Sequence, residues 1–111
     1  MTATTIPPGG ILRDFTALEL SGALAKLEVV LVDVREEEEF RNARINGAVL
    51  HPLSQFDPAS LPPGEIVLMC GVGKRSRLAA GVCATAGVKV AGHLAGGIAA
   101  WAAAGLPVLR G

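Results

Sequence analysis

Runs of apolar residues alternate with mixed apolar and polar stretches along the chain. The runs VVLVDV (29–34) and EIVLMC (65–70) are nearly continuous, which is typical of strands buried on both faces of a sheet. GAVLHPL (47–53) and VKVAGHL (88–94) predict two shorter strands, and the Pro- and Ser-containing stretch 53–64 predicts a loop. Strands that alternate with helices pair in parallel through crossovers. The pattern predicts a small doubly wound α/β domain, with a parallel sheet of about five strands and helices on both faces.

Four stretches carry helix signals, and they are 16–27, 35–45, 75–87 and 96–105. The first opens with Thr16 and Glu19, which have the spacing of a capping box. The second begins with four glutamates, which are favourable at the positive end of the helix dipole. The last two end at Gly87 and Gly105, residues that stop helices readily, and Pro107 prevents continuation of the last one.

The composition indicates one globular domain over residues 1–111, with the Thr-, Pro- and Gly-rich residues 1–10 as a loose lead-in. Ten basic residues balance ten acidic ones, so the charge favours neither nucleic acid nor a membrane surface as a partner. No apolar run approaches the ~20 residues of a membrane helix. The opening MTATTIPPGG lacks the basic and apolar regions of a signal peptide. We therefore expect a cytoplasmic domain whose thiols are reduced.

Cys70 lies where the second long apolar run meets a loop with two glycines and two cations. In doubly wound sheets, ligands bind beyond the carboxyl ends of the strands. A thiol becomes a nucleophile when its pKa falls below the usual value of about 8.5. Convergent backbone amides, a helix N-terminus and nearby cations all lower this pKa. The predicted anion-binding loop consists of Gly71, Val72, Gly73, Lys74 and Arg75. The pattern predicts an anion cradle with Cys70 at its base as the nucleophile.

Other interpretations of the same residues are weaker. A cysteine that ends an apolar strand is commonly a core residue, and Cys83 in the apolar helix is predicted to be one. GVGKRS lacks the third glycine of dinucleotide sites and the spacing of the P-loop. The two histidines lack metal-site spacing, so we expect neither a metal ion nor a cofactor. We predict that His93 is a satisfied structural histidine, that Trp101 anchors the last helix, and that Arg77 lies at the surface.

Four segments together resemble the rhodanese-type sulfurtransferase domain. LVDVREEEEF, INGAVLHPL, IVLMCGVGKRS and LAGGIAAWAAAGLPV follow one another in the family's order and spacing, from about residue 14 to residue 108. The resemblance implies the rhodanese fold and a double displacement. The Cys70 thiolate takes the sulfane sulfur of a donor such as thiosulfate, and the resulting persulfide passes it to cyanide or to a thiol, including a protein thiol. No cofactor is implied.

The family resemblance also helps to distinguish the alternative functions and sulfur donors. Four residues separate Cys70 from Arg75, as in sulfur-transferring members, whereas the related phosphatases and arsenate reductases have five. Gly71 resembles mercaptopyruvate-using relatives, while Lys74 and Arg75 favour a dianionic donor, and on charge we favour thiosulfate. The segment ARINGA departs from the family's usual Gly-His-Ile-Pro-Gly-Ala, so no role of that histidine is transferred. The rival from another class is a non-catalytic module that carries a persulfide or binds a protein.

Three residues are predicted to support the site. Asp33, at the end of a buried strand, either supports the active loop through Arg75 or caps the helix beginning at Glu36. Arg35 either adds positive potential at the mouth of the site or pairs with an adjacent glutamate. Ser76 either donates its hydroxyl to the sulfur or caps the following helix.

Overall fold

The computed structural model describes residues 12–111, so the predicted lead-in 1–10 lies outside the described residues. In chain order the elements are β1 (Arg13–Phe15), α1 (Ala17–Ala25), β2 (Val30–Asp33), α2 (Glu37–Asn42), β3 (Ala43–Arg44), β4 (Val49–Leu50), two 3₁₀ turns (Leu53–Gln55 and Pro58–Ser60), β5 (Ile66–Met69), α3 (Lys74–Thr85), β6 (Gly92–Leu94), α4 (Gly97–Ala103) and β7 (Leu109–Arg110). No helix in this part of the chain is long and apolar enough to cross a membrane.

Five strands form one parallel sheet in the order β1-β6-β5-β2-β4. The central strands β2 and β5 pair from Val30 opposite Ile66 to Asp33 opposite Met69. Their carboxyl ends therefore lie side by side at one edge of the sheet. The doubly wound parallel α/β prediction is confirmed, because helices lie between β1 and β2, between β2 and β4 and between β5 and β6, and the strand order reverses between β5 and β2.

The two faces of the sheet form separate apolar layers. Leu31 and Val67 point to the face covered by α1 and α4, where they pack with Leu20 and Trp101. The indole N–H of Trp101 donates to the Pro107 carbonyl at 2.8 Å. Trp101 is buried, so the prediction that it anchors the last helix is confirmed.

The other apolar layer lies beneath α3. Val32 and Leu68, the next residues along the central strands, pack there with Ala79, Ala80 and Cys83. Successive strand side chains alternate between faces, which explains why strands with covered faces are continuously apolar. Cys83 is fully buried and burial raises the pKa of its thiol, so the prediction that it is a core residue is confirmed.

The structure differs from the predicted elements at the periphery. A helix was expected over residues 35–45. In the structure only Glu37–Asn42 are helical (α2), and the next two residues, Ala43–Arg44, form β3, which pairs antiparallel with β7. β1 was not predicted, since its three residues include only one buried side chain. The first helix ends at Ala25, two residues before Leu27. These elements are too short to produce a periodic pattern, and tertiary pairing alone defines them.

Candidate active site

Cys70 directly follows β5, at the carboxyl edge of the sheet, where the fold was expected to place a ligand site. The residues after it turn sharply, and α3 begins at Lys74 with Gly73 as its N-cap. Gly73 has φ +107, a left-handed conformation that other residues adopt only with strain. This turn directs the first N–H groups of α3 back toward the end of β5. These N–H groups have no partner within the helix, so they are free to bond a group at the end of the strand.

Those N–H groups bond the Cys70 sulfur. The Gly73 N–H donates to Sγ at 3.1 Å and the Ser76 N–H at 3.3 Å, while Ser76 Oγ lies 3.6 Å from Sγ. The Arg75 N–H also helps to lower the pKa of the Cys70 thiol. Two of the five predicted loop residues, Gly73 and Arg75, thus supply amides, and Ser76 supplies both its amide and its hydroxyl. The expected convergence of amides on the sulfur is present.

The pKa values of the two buried cysteines shift in opposite directions. Burial alone would raise the pKa of the Cys70 thiol, yet the bonds from Ser76, Gly73 and Arg75 outweigh it and lower that pKa below the ordinary cysteine value. Cys83 is equally enclosed, no donor among residues 12–111 bonds its sulfur, and burial raises its pKa. Hydrogen bonds to the charged form favour it, so only Cys70 is prepared to react as a thiolate.

The N-terminus of α4 holds the Cys70 loop from the other side. The Ile98 N–H donates to the Cys70 carbonyl at 2.9 Å, and the Ala99 N–H donates to the Gly71 carbonyl at 3.1 Å. Gly97 has φ +62, and a Cβ on it would collide with those same two carbonyls. Gly97 was not predicted to lie at the site. Two adjacent glycines between a strand and a helix indicate a tight turn, and this pattern could have pointed to Gly97.

Arg75 is fixed by Glu39 of α2. Its guanidinium donates to the two carboxylate oxygens at 2.7 and 2.9 Å. The Arg75 hydrogen bonds lower the pKa of Glu39 to about 2, and Glu39 raises the pKa of Arg75. Because the Glu39 pKa is depressed, this pair stabilises the fold above the carboxyl's usual pKa of 4.5 and is lost as the pH falls toward 2. Arg75 was expected to orient an anionic donor, and the structure instead shows its charge matched by Glu39.

Asp33 and Arg35 form a closed buried pair. Arg35 Nη2 donates to Asp33 at 2.8 Å and to the Ala43 carbonyl at 2.6 Å, and its Nε lies 3.1 Å from both Asp33 oxygens. Both residues are buried, and a buried carboxylate requires such a partner. Neither expected contact of Asp33 is present: it bonds neither Arg75 nor the amides of α2, whose N-cap is Glu36. Arg35 pairs with Asp33 rather than with an adjacent glutamate, although its charge helps to lower the pKa of Glu39.

A groove of about 450 Å³ opens beside the loop. Its apolar part includes Val72 and Leu78, which are 63% and 64% exposed, and its cations are Lys74 and Arg77. Arg77 lies at the surface as predicted, 4.0 Å from Asp14. Among the described residues, no carboxylate lies within ion-pair distance of Lys74. Lys74 is therefore the loop cation that stays available to an incoming anion.

His93 lies behind Ser76. Its Nδ1 is 2.8 Å from Ser76 Oγ, and its Nε2 is 2.9 Å from Asp14 Oδ1. His93 is only 1% exposed, so the prediction of a satisfied, buried histidine is confirmed. Its position next to Ser76 was not predicted, because the contact joins residues 17 apart and Asp14 is 79 residues away.

Comparison with known proteins agrees with this architecture. The protein shares 44% identity over 85 residues with the uncharacterized protein slr1261 of Synechocystis sp., an alignment covering 74% of this chain and 48% of that protein. It shares 40% identity over 80 residues with the "probable adenylyltransferase/sulfurtransferase MoeZ" of Mycobacterium tuberculosis, covering 68% of this chain and 20% of that protein. The chain therefore spans half or less of the length of these curated relatives.

Solved structures show the same fold. A rhodanese-related protein from Thermoplasma volcanium superposes with a TM-score of 0.77 at 25% identity, covering 87% of this chain and 97% of that chain. A thiosulfate sulfurtransferase from Pseudomonas aeruginosa gives a TM-score of 0.77 at 22% identity, covering 90% of this chain and 20% of that chain. The family model of the rhodanese-like domain matches residues 16–104, which include the amide cradle around Cys70 and the N-terminus of α4 that holds the Cys70 loop. Because this match runs from the start of α1 to the end of α4 and covers most of the chain, the chain belongs to the rhodanese-like domain family.

Proposed function

We propose that this protein is a sulfurtransferase that moves a sulfane sulfur from thiosulfate, or a similar donor, to a thiol or cyanide through a Cys70 persulfide. The observation that carries the proposal is the Cys70 sulfur beneath the N–H groups of Gly73 and Ser76. A preorganised set of amides stabilises an anion without having to reorient during the reaction. Both the thiolate and the persulfide of the proposed cycle are anions, so one cradle serves both.

The reaction divides into two displacements. A lone pair of the Cys70 thiolate attacks the outer sulfur of thiosulfate, the S–S bond breaks, and sulfite leaves with its electron pair. The acceptor thiolate or cyanide then attacks the outer sulfur of the persulfide, and Cys70 departs as a thiolate. Covalent catalysis of this kind replaces one difficult transfer by two easier ones. Both cysteines are free, as a reducing cytoplasmic setting would require.

Two other functions make different predictions. A non-catalytic module would hold a persulfide or a partner without turnover. A phosphatase would need a cradle wide enough for a phosphoryl group, whereas two amides here contact the sulfur itself and the loop has the shorter spacing of sulfur-transferring relatives. The name of MoeZ includes a sulfurtransferase activity, which supports sulfur transfer over phosphatase activity.

Formation of thiocyanate from thiosulfate and cyanide tests the proposal. We expect the wild-type protein to turn over many times per molecule and to leave an aryl phosphate intact. A protein that forms thiocyanate no faster than buffer would support the non-catalytic module. Hydrolysis of the aryl phosphate without sulfur transfer would support the phosphatase.

Lys74 is proposed to guide the anionic donor into the cradle. We expect Lys74→Ala to raise the KM for thiosulfate by up to about fivefold, since an exposed charge contact is worth roughly 0.2–1 kcal/mol. The KM for an uncharged dialkyl polysulfide should change less, and added salt should reduce the difference. Lys89→Ala is the matched control, because Lys89 is exposed beyond the opposite end of α3. Equal changes in KM for both donors would show that Lys74 does not bind the donor anion.

A further inference from the structure

A continuous chain of hydrogen bonds joins the enclosed Cys70 sulfur to solvent. It runs from Sγ to Ser76 Oγ (3.6 Å), from Ser76 Oγ to His93 Nδ1 (2.8 Å), and from His93 Nε2 to Asp14 Oδ1 (2.9 Å). Cys70, Ser76 and His93 are each no more than 1% exposed, whereas the Asp14 side chain is 58% exposed. Asp14 is therefore the solvent end of a path that begins at a buried thiol.

We propose that His93 is a positioning residue that takes up the proton of the resting Cys70 thiol through Ser76 Oγ, with Asp14 holding the imidazole. This inference deepens the proposed function and rests on Cys70 reacting as a thiolate. It assigns a role to the Ser76 hydroxyl, to His93 and to Asp14, which the double displacement itself does not use. It also explains why a buried histidine bonds a serine whose hydroxyl faces the sulfur.

The protons balance in both states of the chain. With a thiol, the Cys70 S–H donates to Ser76 Oγ, the Ser76 O–H donates to His93 Nδ1, and the His93 Nε2–H donates to Asp14. When the thiol ionises, its proton passes to Ser76 Oγ as the Ser76 hydroxyl proton passes to Nδ1. The Ser76 O–H then donates to the thiolate, Nδ1–H donates to Ser76 Oγ, and the imidazolium remains bonded to the Asp14 carboxylate. No donor or acceptor of the chain is left unpaired in either state.

Other bonds favour the thiolate arrangement. The Gly73 and Ser76 N–H groups stay on the sulfur throughout and stabilise its negative charge. Ser76 Oγ also lies 3.2 Å from the Gly73 carbonyl, an alternative acceptor for its proton during the exchange. A carboxylate bonded to a histidine stabilises the imidazolium, as the aspartate of a catalytic triad does.

The charged groups around His93 act on it in opposite directions. Asp14 of β1 favours the imidazolium, and a Cys70 thiolate beyond the end of β5 favours it further. Lys74 and Arg77 of α3 line the same groove as His93 and oppose it, although Arg77 also lies 4.0 Å from Asp14. α4 contributes no titratable group. Loss of the Asp14 charge should therefore leave the imidazolium opposed by two cations.

The pH dependence of Cys70 alkylation by iodoacetamide tests this inference without any sulfur transfer. Asp14→Asn and His93→Asn should each move the alkylation profile to higher pH and slow the reaction at pH 6 by about tenfold, the effect of one pKa unit. Asn at position 93 retains a hydrogen-bonding group near Nδ1 but cannot take up a proton. Glu65→Gln is the matched control, because Glu65 precedes β5 at the opposite edge of the sheet. Asp14 is exposed, so Asp14→Asn stays informative even if His93→Asn fails to fold.

Histidine NMR provides a second, reciprocal readout. Coupling between two linked sites is mutual, so Cys70→Ala should change the imidazole nitrogen chemical shifts of His93 at neutral pH and leave those of His51 unchanged. Unchanged alkylation profiles in Asp14→Asn, together with His93 imidazole chemical shifts that Cys70→Ala does not change, would overturn the relay while leaving sulfur transfer intact. Shifted profiles in a protein that forms no thiocyanate would support the relay and contradict the proposed function.

Discussion

Cys70→Ala should abolish the proposed sulfur transfer, with thiocyanate formation falling by at least ~10³-fold to the rate in buffer. The reason is that Cys70 is the side chain that takes the outer sulfur of thiosulfate, and without its thiol no persulfide can form. Cys70→Ser should be equally inactive, although its hydroxyl can still accept from the Gly73 and Ser76 N–H groups. An alcohol is far less acidic than a thiol, so those amides cannot ionise it. Initial rates with thiosulfate and cyanide measure both variants.

Cys83 supplies the matched control for this experiment. It is the second buried cysteine and lies within α3, but burial raises the pKa of its thiol. Cys83→Ala should retain most of the wild-type rate once its melting temperature confirms that it is folded. A Cys83 variant as inactive as Cys70→Ala, or a Cys70→Ala variant that still transfers sulfur, would contradict the assignment of the nucleophile.

Gly97→Ala should be the most disruptive glycine substitution near the loop. A left-handed conformation costs an alanine roughly 1–2 kcal/mol, and the added Cβ would also collide with the Cys70 and Gly71 carbonyls. Relief of that collision should cost a further ~1–3 kcal/mol and displace the turn that carries the cradle. We therefore expect unfolding free energy to fall by about 2–5 kcal/mol in urea denaturation, together with a loss of sulfur transfer.

Gly105→Ala separates the two causes. Gly105 has a similar backbone angle, φ +78, but a Cβ there would meet no atom within 4 Å. This variant should lose only about 1–2 kcal/mol, the cost of the left-handed conformation, and keep its activity. Equal losses at Gly97 and Gly105 would show that backbone strain alone accounts for the effect and that α4 does not hold the loop in place.

Sequence reasoning predicted the parts of the site that local chemistry determines. A thiol after a buried strand, followed by glycines and a helix, is contiguous in the chain, so the amides around Cys70 could be anticipated. The parallel arrangement of the strands followed from their alternation with helices, whereas their order in the sheet was not predicted. The edge strand β1 was missed because three residues with one buried side chain do not form a pattern.

The side-chain partners could not be derived in the same way. Arg75 has carboxylates at many positions as candidate partners, and only the packing of α2 against the loop selects Glu39, 36 residues away. Asp33 was expected to contact Arg75 or to cap the following helix, whereas the turn after β2 folds Arg35 back onto it. Burial makes such pairs obligatory, but it does not identify the partner.

These differences change the electrostatics expected at the site. Two cations were expected to meet the donor, and one of them is already matched by Glu39. The negative charge on sulfur is therefore stabilised mainly by fixed N–H groups, and Lys74 is left to attract the donor. Hydrogen bonds within an enclosed site are stronger than the same contacts in water, so this arrangement needs no full charge beside the sulfur.

The intact mass of the protein after incubation with thiosulfate shows whether Cys70 carries sulfur. We expect the wild-type protein to gain the mass of one sulfur atom, the added sulfur to map to the peptide containing Cys70, and cyanide to remove it. Cys70→Ala should gain nothing. A wild-type mass unchanged by thiosulfate, or an added sulfur that maps to Cys83, would contradict the claim that the amide cradle makes Cys70 the sulfur carrier.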